Sequence, residues 1–213
     1  MRKLAPIRIM SVDDHPVVRR GIAAIVATEP SLEWVGDAAS GDEAIRRYRE
    51  LRPDIVLMDL QLGGGMDGVE ATTRICAEWP KAQIIVLTTY AGDEHIHRAL
   101  DAGARGYLIK DAMDEDLLHA IKAVRDGRRY IPPRLALTLV EHGPRVEFTP
   151  RETEVLRLMT DGLRNKEIAS QLGISEATAR THVDNIVGKL GASGRTEAII
   201  LAAQRGFLYY SGS

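Results

Sequence analysis

The sequence predicts an α/β domain followed by a small all-α domain. A five-stranded, doubly wound parallel sheet of order 2-1-3-4-5 is expected over residues 1–127, a linker with a short helix over 128–147, and a helix-turn-helix unit over 148–213. Three observations lead there. Up to Gly127, five short apolar runs alternate with five segments of helical periodicity, as in one parallel sheet with helices on both faces. Four of the runs end on polar or charged residues, Asp13-Asp14, Asp59, Thr88 and Lys110, at the rim where such sheets place their ligands. From Phe148 onward the periodicity is helical only, and Gly173-Ile174 joins two helical segments.

Each element has a local reason. Ile7 to Val12 is an apolar-rich strand; His15-Pro16 then opens a helix with Val17, Val18, Ile22 and Ile25 at helical spacing. Leu32 to Ala38 is the second strand, and Ser40-Gly41-Asp42-Glu43 has the form of a capping box for a helix through Ile45, Tyr48 and Leu51 that Pro53 ends. Ile55 to Met58 lacks polar alternation, so it reads as a strand buried on both faces, with Asp59 at its carboxyl end and the turn Gly63-Gly64-Gly65 close behind. Asp67 to Trp79 is helical with Val69, Ile75, Cys76 and Trp79 inward, and Ile84 to Leu87 is a strand ending at Thr88-Thr89. Gly92 to Ala102 is a fourth helix stopped by Gly103, Gly106 to Ile109 a fifth strand, and Asp114 to Asp126 a fifth helix with Gly127 as its C-cap.

After Pro132-Pro133 and a short helix at Leu135 to Glu141, Thr149-Pro150-Arg151-Glu152 places a Thr N-cap, Pro at the first helical position and Glu at the third. Asn165 is expected to cap the next helix and Ser175 the one after it, whose Ala179, Val183, Ile186 and Leu190 form a buried face. Arg195 to Arg205 is a last, apolar-rich helix, and Gly206 to Ser213 reads as a frayed tail.

Composition excludes several classes. With 213 residues and 45% hydrophobic content the chain can bury one or two ordinary cores. No segment approaches the ~18 consecutive apolar residues of a membrane span, and MRKLAPIRIMSVDD does not have the form of a signal peptide, so the expected location is cytoplasmic. Cys76 is the single cysteine, which excludes an intrachain disulfide and a thiolate metal cluster. Residues 1–130 carry 18 Lys+Arg against 21 Asp+Glu, and residues 131–213 carry 10 against 9. The second half is too near neutral for strong nonspecific nucleic-acid binding, so such a role must rest on where the basic residues lie.

The strand order makes strands 1 and 3 neighbours, which brings Asp13, Asp14 and Asp59 to one rim with Thr88 and Lys110. Crowded carboxylates repel unless a cation joins them, and hard oxygen donors suit Mg²⁺. A carboxylate is a competent nucleophile for phosphoryl transfer, with the ion and Lys110 supplying charge stabilisation and Thr88 a hydroxyl donor. No general base stands in an obvious position, which suits a switch better than a fast hydrolase.

The pattern VDDHP, the strand end Met58-Asp59 and the strand ends LTT and YLIK resemble the flavodoxin-like receiver domain of bacterial two-component response regulators. The resemblance implies that Asp59 accepts a phosphoryl group from a sensor histidine kinase and that Asp14, Asp59 and the Gln61 carbonyl bind Mg²⁺, with Asp13 acting through water. It also implies that Lys110 pairs with the phosphoryl oxygens and that Thr88 and Tyr107 are the switch residues. One departure stands out: the family has one residue fewer between the acceptor and Met66-Asp67-Gly68, and a Pro where this chain has its glycines.

The stretch LRNKEIASQLGISEATARTHVDNIVGKLGASGRTEA resembles the LuxR-type DNA-binding domain, and with the receiver it makes the chain similar to NarL/FixJ-family transcription regulators. Thr178, Arg180, Thr181 and His182 are then the candidate major-groove contacts, with Lys166 and Lys189 on phosphates. Asp184 departs from the basic residue many relatives carry. The resemblance further implies double-stranded promoter DNA and RNA polymerase as partners, and a homodimer formed on phosphorylation through the last helix; packing of that helix on its own core is the alternative.

Two rival readings remain. A Mg²⁺-dependent phosphatase using Asp59 would want an acid two residues on, where Gln61 stands. A phosphorylation-independent DNA-binding regulator would keep the receiver only for dimerisation, against which the intact acid trio and Lys110 argue. His95, His97, His119 and His142 have no ligand spacing, and Arg46-Arg47-Tyr48-Arg49 reads as a solvated face.

Overall fold

The computed structural model describes residues 5–89, 91–142 and 144–208. The five strands β1 (Ile7–Val12), β2 (Leu32–Ala38), β3 (Ile55–Met58), β4 (Ile84–Thr88) and β5 (Gly106–Ile109) form one all-parallel sheet in the order β2-β1-β3-β4-β5. The expected order therefore holds. Parallel neighbours need crossovers, supplied by α1 (Pro16–Thr28), α2 (Gly41–Leu51), α3 (Gly68–Glu78) and α4 (Asp93–Asp101); α5 (Met113–Arg125) follows β5. Ile9, Leu57, Ile85 and Leu108 look into one face, packed with Ile22, Leu117 and Ile121 from α1 and α5. Met10, Val56, Met58 and Ile84 fill the other face with Tyr48 and Ile75 from α2 and α3.

Caps fix where the helices start. Ser40 accepts from the Glu43 amide and Asp67 from the Glu70 amide. Gly103 and Gly127 follow α4 and α5 at φ +104° and +78°, the left-handed region that suits glycine after a helix. Beyond β5 a 3₁₀ turn at Lys110–Ala112 precedes α5, so that helix begins at Met113, one residue earlier than expected. Tyr130, after α5, returns to the sheet: it bridges Gly106, takes the Tyr107 amide on its carbonyl at 2.9 Å and donates its own amide to Arg105. Its hydroxyl donates to Asp116 at 2.8 Å.

The chain divides into two compact units, residues 92–95 grouping with the second, and the later change falls between Leu137 and Thr138 within α6 (Pro133–Glu141). The second contains α7 (Pro150–Thr160), α8 (Asn165–Leu172), α9 (Glu176–Leu190) and α10 (Arg195–Arg205). Val155, Leu156, Met159, Ile168, Val183, Ile186, Ala198 and Ala202 are its core.

Several details depart from the sequence reading. Val17 is 80% exposed, because the inward stripe of α1 runs through Val18, Ile22, Ile25 and Val26. Cys76 is half-buried. Asn165 does not cap α8: its Oδ1 accepts from Arg195 at 3.2 Å, and Arg164 stands at the N-cap with its amide on Glu167 at 2.6 Å. The tail is not frayed at its start, since Phe207 and Leu208 pack on the helical core and the Phe148 and Phe207 rings meet at 4.9 Å.

Candidate functional site

Register delivers the acids of the first unit to one rim. Val12 pairs with Met58, and the Asp59 amide donates to the Val12 carbonyl at 2.8 Å, so Asp13 and Asp59 leave adjacent strands side by side. Both are almost fully buried, Asp13 at 1% and Asp59 at 4%. Lys110, directly after β5, places its ammonium 2.7 Å from Asp59 Oδ2 and 2.6 Å from Asp13 Oδ2. Asp59 Oδ1 accepts the Gln61 amide at 3.2 Å.

Asp14, at the rim's outer side, has Oδ2 on the Gly63 amide at 3.2 Å and Oδ1 against His15 Nδ1 at 2.7 Å. His15 also donates its amide to Asp13 Oδ1 at 2.9 Å. Sequence reasoning took His15 only as a helix opener. Its position next to the acid pair was the available signal.

Burial pushes the Asp59 carboxyl above its ordinary range, against the hydrogen bond and charge of Lys110, and the nearby charge of Asp13 adds to the rise. For Lys110, burial works against the charged form, but its bonds to Asp13 and Asp59 outweigh it and raise its pKa. Burial is the main cause of that rise, and one ammonium shared between two buried carboxylates does not cancel it.

That crowding bears on whether the residues suit a divalent ion. One ligand atom each from Asp13, Asp14, His15 and Asp59 lies within 4.8 Å of the others. Asp13 Oδ2 and Asp14 Oδ1 are buried oxygens with no aligned hydrogen-bond donor among the described residues, although Lys110 Nζ stands 2.6 Å from the first and His15 Nδ1 2.7 Å from the second. Lone pairs on hard oxygens therefore remain available, and the donor set fits Mg²⁺.

Thr88 ends β4 and pairs in register with Ile109; Tyr107 lies within β5 opposite Val86. Both are fully buried. Gly68, opening α3, packs on the backbone of the acid itself: a Cβ there would stand 1.8 Å from the Asp59 carbonyl oxygen.

In the second unit, Gly173 at φ +64° turns the chain between α8 and α9, and Ser175 caps α9 by accepting the Thr178 amide at 3.1 Å. Lys166, Thr178, Arg180 and Thr181 are exposed and His182 is half-exposed. The Thr181 hydroxyl donates to the Ala177 carbonyl, and that of Thr178 lies 2.8 Å from the Ser175 hydroxyl. Lys189, expected on phosphate, is exposed, and its ammonium lies 2.6 Å from Glu152 Oε2 and 3.0 Å from the Glu147 carbonyl. Asp184 is exposed and makes no ion pair with Arg180 among the described residues.

Comparison with known proteins covers both units. The family described as response regulator receiver domain matches residues 9–122, and that described as bacterial regulatory proteins, luxR family, matches residues 146–202. The chain is 39% identical over 204 residues to the transcriptional regulatory protein LiaR of Bacillus subtilis, covering 92% of this chain and 96% of that one. It is 40% identical over 207 residues to the response regulator protein VraR of Staphylococcus aureus, covering 95% and 99%. Its fold is similar, at a TM-score of 0.73 and 25% identity over 93% of this chain and 98% of that one, to RcsB from Salmonella enterica serovar Typhimurium bound to a promoter in the presence of the phosphomimetic BeF3-.

Proposed function

The chain belongs to the response regulators that join a receiver domain to a LuxR-type DNA-binding domain, and from that premise we propose that Asp59 is its phosphoacceptor and α9 its DNA-reading helix. The domains run over residues 1–127 and 148–213, with 128–147 as linker. The observation that carries the reading is the placement of Lys110 between Asp13 and Asp59. It holds two buried carboxyl groups beside one cation at the carboxyl end of the sheet.

A carboxylate oxygen of Asp59 attacks the phosphorus of a phosphohistidine on a sensor histidine kinase. The new bond is O–P, the bond broken is P–N, and the leaving imidazole takes up a proton. Lys110, already on Asp59 Oδ2, is in position to meet the developing charge on the phosphoryl oxygens. Asp13, Asp14 and Asp59, with the Gln61 carbonyl, would hold Mg²⁺, which supplies further charge neutralisation for the transferred group. Phosphorylation adds about −1.5 to −2 charge, and the gain must be differential between the resting and active arrangements for a switch to follow. Thr88 and Tyr107 are the residues assigned to that rearrangement.

In the second domain Arg180, with Thr178, Thr181 and His182, meets base edges in the major groove of promoter DNA, and Lys166 meets phosphate. Ile200, 51% exposed on α10, gives a two-fold dimer an apolar contact. The protein acts in the cytoplasm as a transcription regulator engaging RNA polymerase, not as an enzyme that turns over a substrate. Among the described residues no helix is long and apolar enough to cross a membrane.

Intact mass and size, after incubation with Mg²⁺ and a small acyl-phosphate donor, test this for wild type and Asp59→Asn. One phosphoryl group on wild type alone, with a shift to dimer, is expected. No gain by wild type, with DNA binding intact, would replace this reading with a phosphorylation-independent regulator.

A further inference from the structure

The loop between β3 and α3 carries three consecutive glycines, Gly63-Gly64-Gly65, and it reaches into the acid pocket. The Gly63 amide donates to Asp14 Oδ2 at 3.2 Å, and a Cβ built on Gly63 would stand 3.2 Å from that same oxygen. Gly64 and Gly65 take φ +84° and +123°, with nothing within 4 Å of a Cβ at either position. Those two glycines turn the chain. Gly63 itself has no left-handed backbone and needs to be glycine only for the closeness of the carboxylate.

We propose that Gly63 is a positioning residue for Asp14, so that the glycine loop sets the direction of a metal-binding carboxylate and its own order is coupled to metal occupancy. The inference rests on the reading of Asp13, Asp14 and Asp59 as the Mg²⁺ site. The Asp14 side chain is 32% exposed, the most open of the three acids, and the Gly63 amide is the hydrogen-bond donor that holds its Oδ2. A carboxylate held in place by outer hydrogen bonds loses less freedom when an ion arrives, and loss of such an outer partner weakens metal binding. A Cβ at Gly63 would push the carboxylate by a few tenths of an ångström without straining the backbone.

The test is an NMR titration of the full chain with MgCl2, in wild type and Gly63→Ala, following the amide resonances of the rim. Gly63→Ala is expected to bind Mg²⁺ about 10-fold more weakly with unchanged metal-free melting, and in wild type the Gly63 amide should shift in step with metal saturation. Unchanged affinity in Gly63→Ala, or a Gly63 amide that stays put while other rim amides titrate, overturns the positioning role and leaves the metal site standing. Should the variant fold poorly, the wild-type amide decides alone. If no wild-type resonance responds to Mg²⁺, the metal site and this inference fall together.

Discussion

The Lys189 ammonium lies 2.6 Å from Glu152 Oε2 and so ties the end of α9 to the first turn of α7. Glu152 is 3% exposed, and a buried carboxylate must be satisfied within the protein. It also accepts the Thr149 amide at 2.8 Å, completing the capping box of α7. Burial pushes this carboxyl up, but Lys189 and Thr149 outweigh it and hold it below the usual carboxylate range.

A pH dependence follows from that sign. A carboxyl with a depressed folded pKa contributes stability that is in place above the unfolded value, about 4.3 for Glu, and is lost as pH falls through the folded one. Glu152→Gln should lower the opening free energy of α7 by about 1.5–3 kcal/mol at neutral pH. The gap to wild type should close in acid. Hydrogen exchange at Val155, Leu156 and Met159 across pH reads this locally; a gap independent of pH would place the effect in packing instead.

Gly68 makes a second prediction, because the site leaves no volume for a side chain. With a Cβ 1.8 Å from the Asp59 carbonyl oxygen, Gly68→Ala must shift either β3 or α3, at a cost of about 1–3 kcal/mol for overpacking. Melting temperature and acyl-phosphate incorporation should fall together. Unchanged incorporation in a destabilised protein would mean that the helix, not the acceptor, gives way.

For DNA, two substitutions should separate by salt. Arg180→Ala is expected to cost about 1–3 kcal/mol at the cognate site and relax preference for one base pair, whereas Lys166→Ala should weaken all sequences alike and reduce the salt slope by about 1. Binding isotherms at several salt concentrations on matched and mismatched sites check both. Equal loss on every sequence would make Arg180 a phosphate contact.

Ile200 tests the dimer. Ile200→Glu puts a charge on an exposed position of α10 and should leave melting unchanged while abolishing the size shift of the phosphorylated protein. A variant that still dimerises would move the contact elsewhere.

The sheet and its acid rim were legible because buried parallel strands are apolar throughout, so each polar terminus stands out, as Asp59 does after Ile55–Met58. The sheet order then followed from five strand-helix pairs. What escaped lies in pairings that sequence spacing does not encode. Lys189 and Glu152 are 37 residues apart, so nothing local announces their ion pair. Asn165 falls inside α8 behind Arg164, and its side chain accepts from Arg195, 30 residues on. Val17 was misplaced for a local reason: at the first turn of α1 one residue of helical phase decides between core and solvent.

Tyr107 and Tyr130 meet through the main chain, amide to carbonyl at 2.9 Å. Tyr130 precedes α6 by three residues, and its hydroxyl is pinned to Asp116 on α5. β5 is thereby tied to the strap that leaves the sheet, through a main-chain link that no side chain supplies. Scanning β5 with alanine would leave this link in place; Tyr107→Pro, which removes the amide, would strip it.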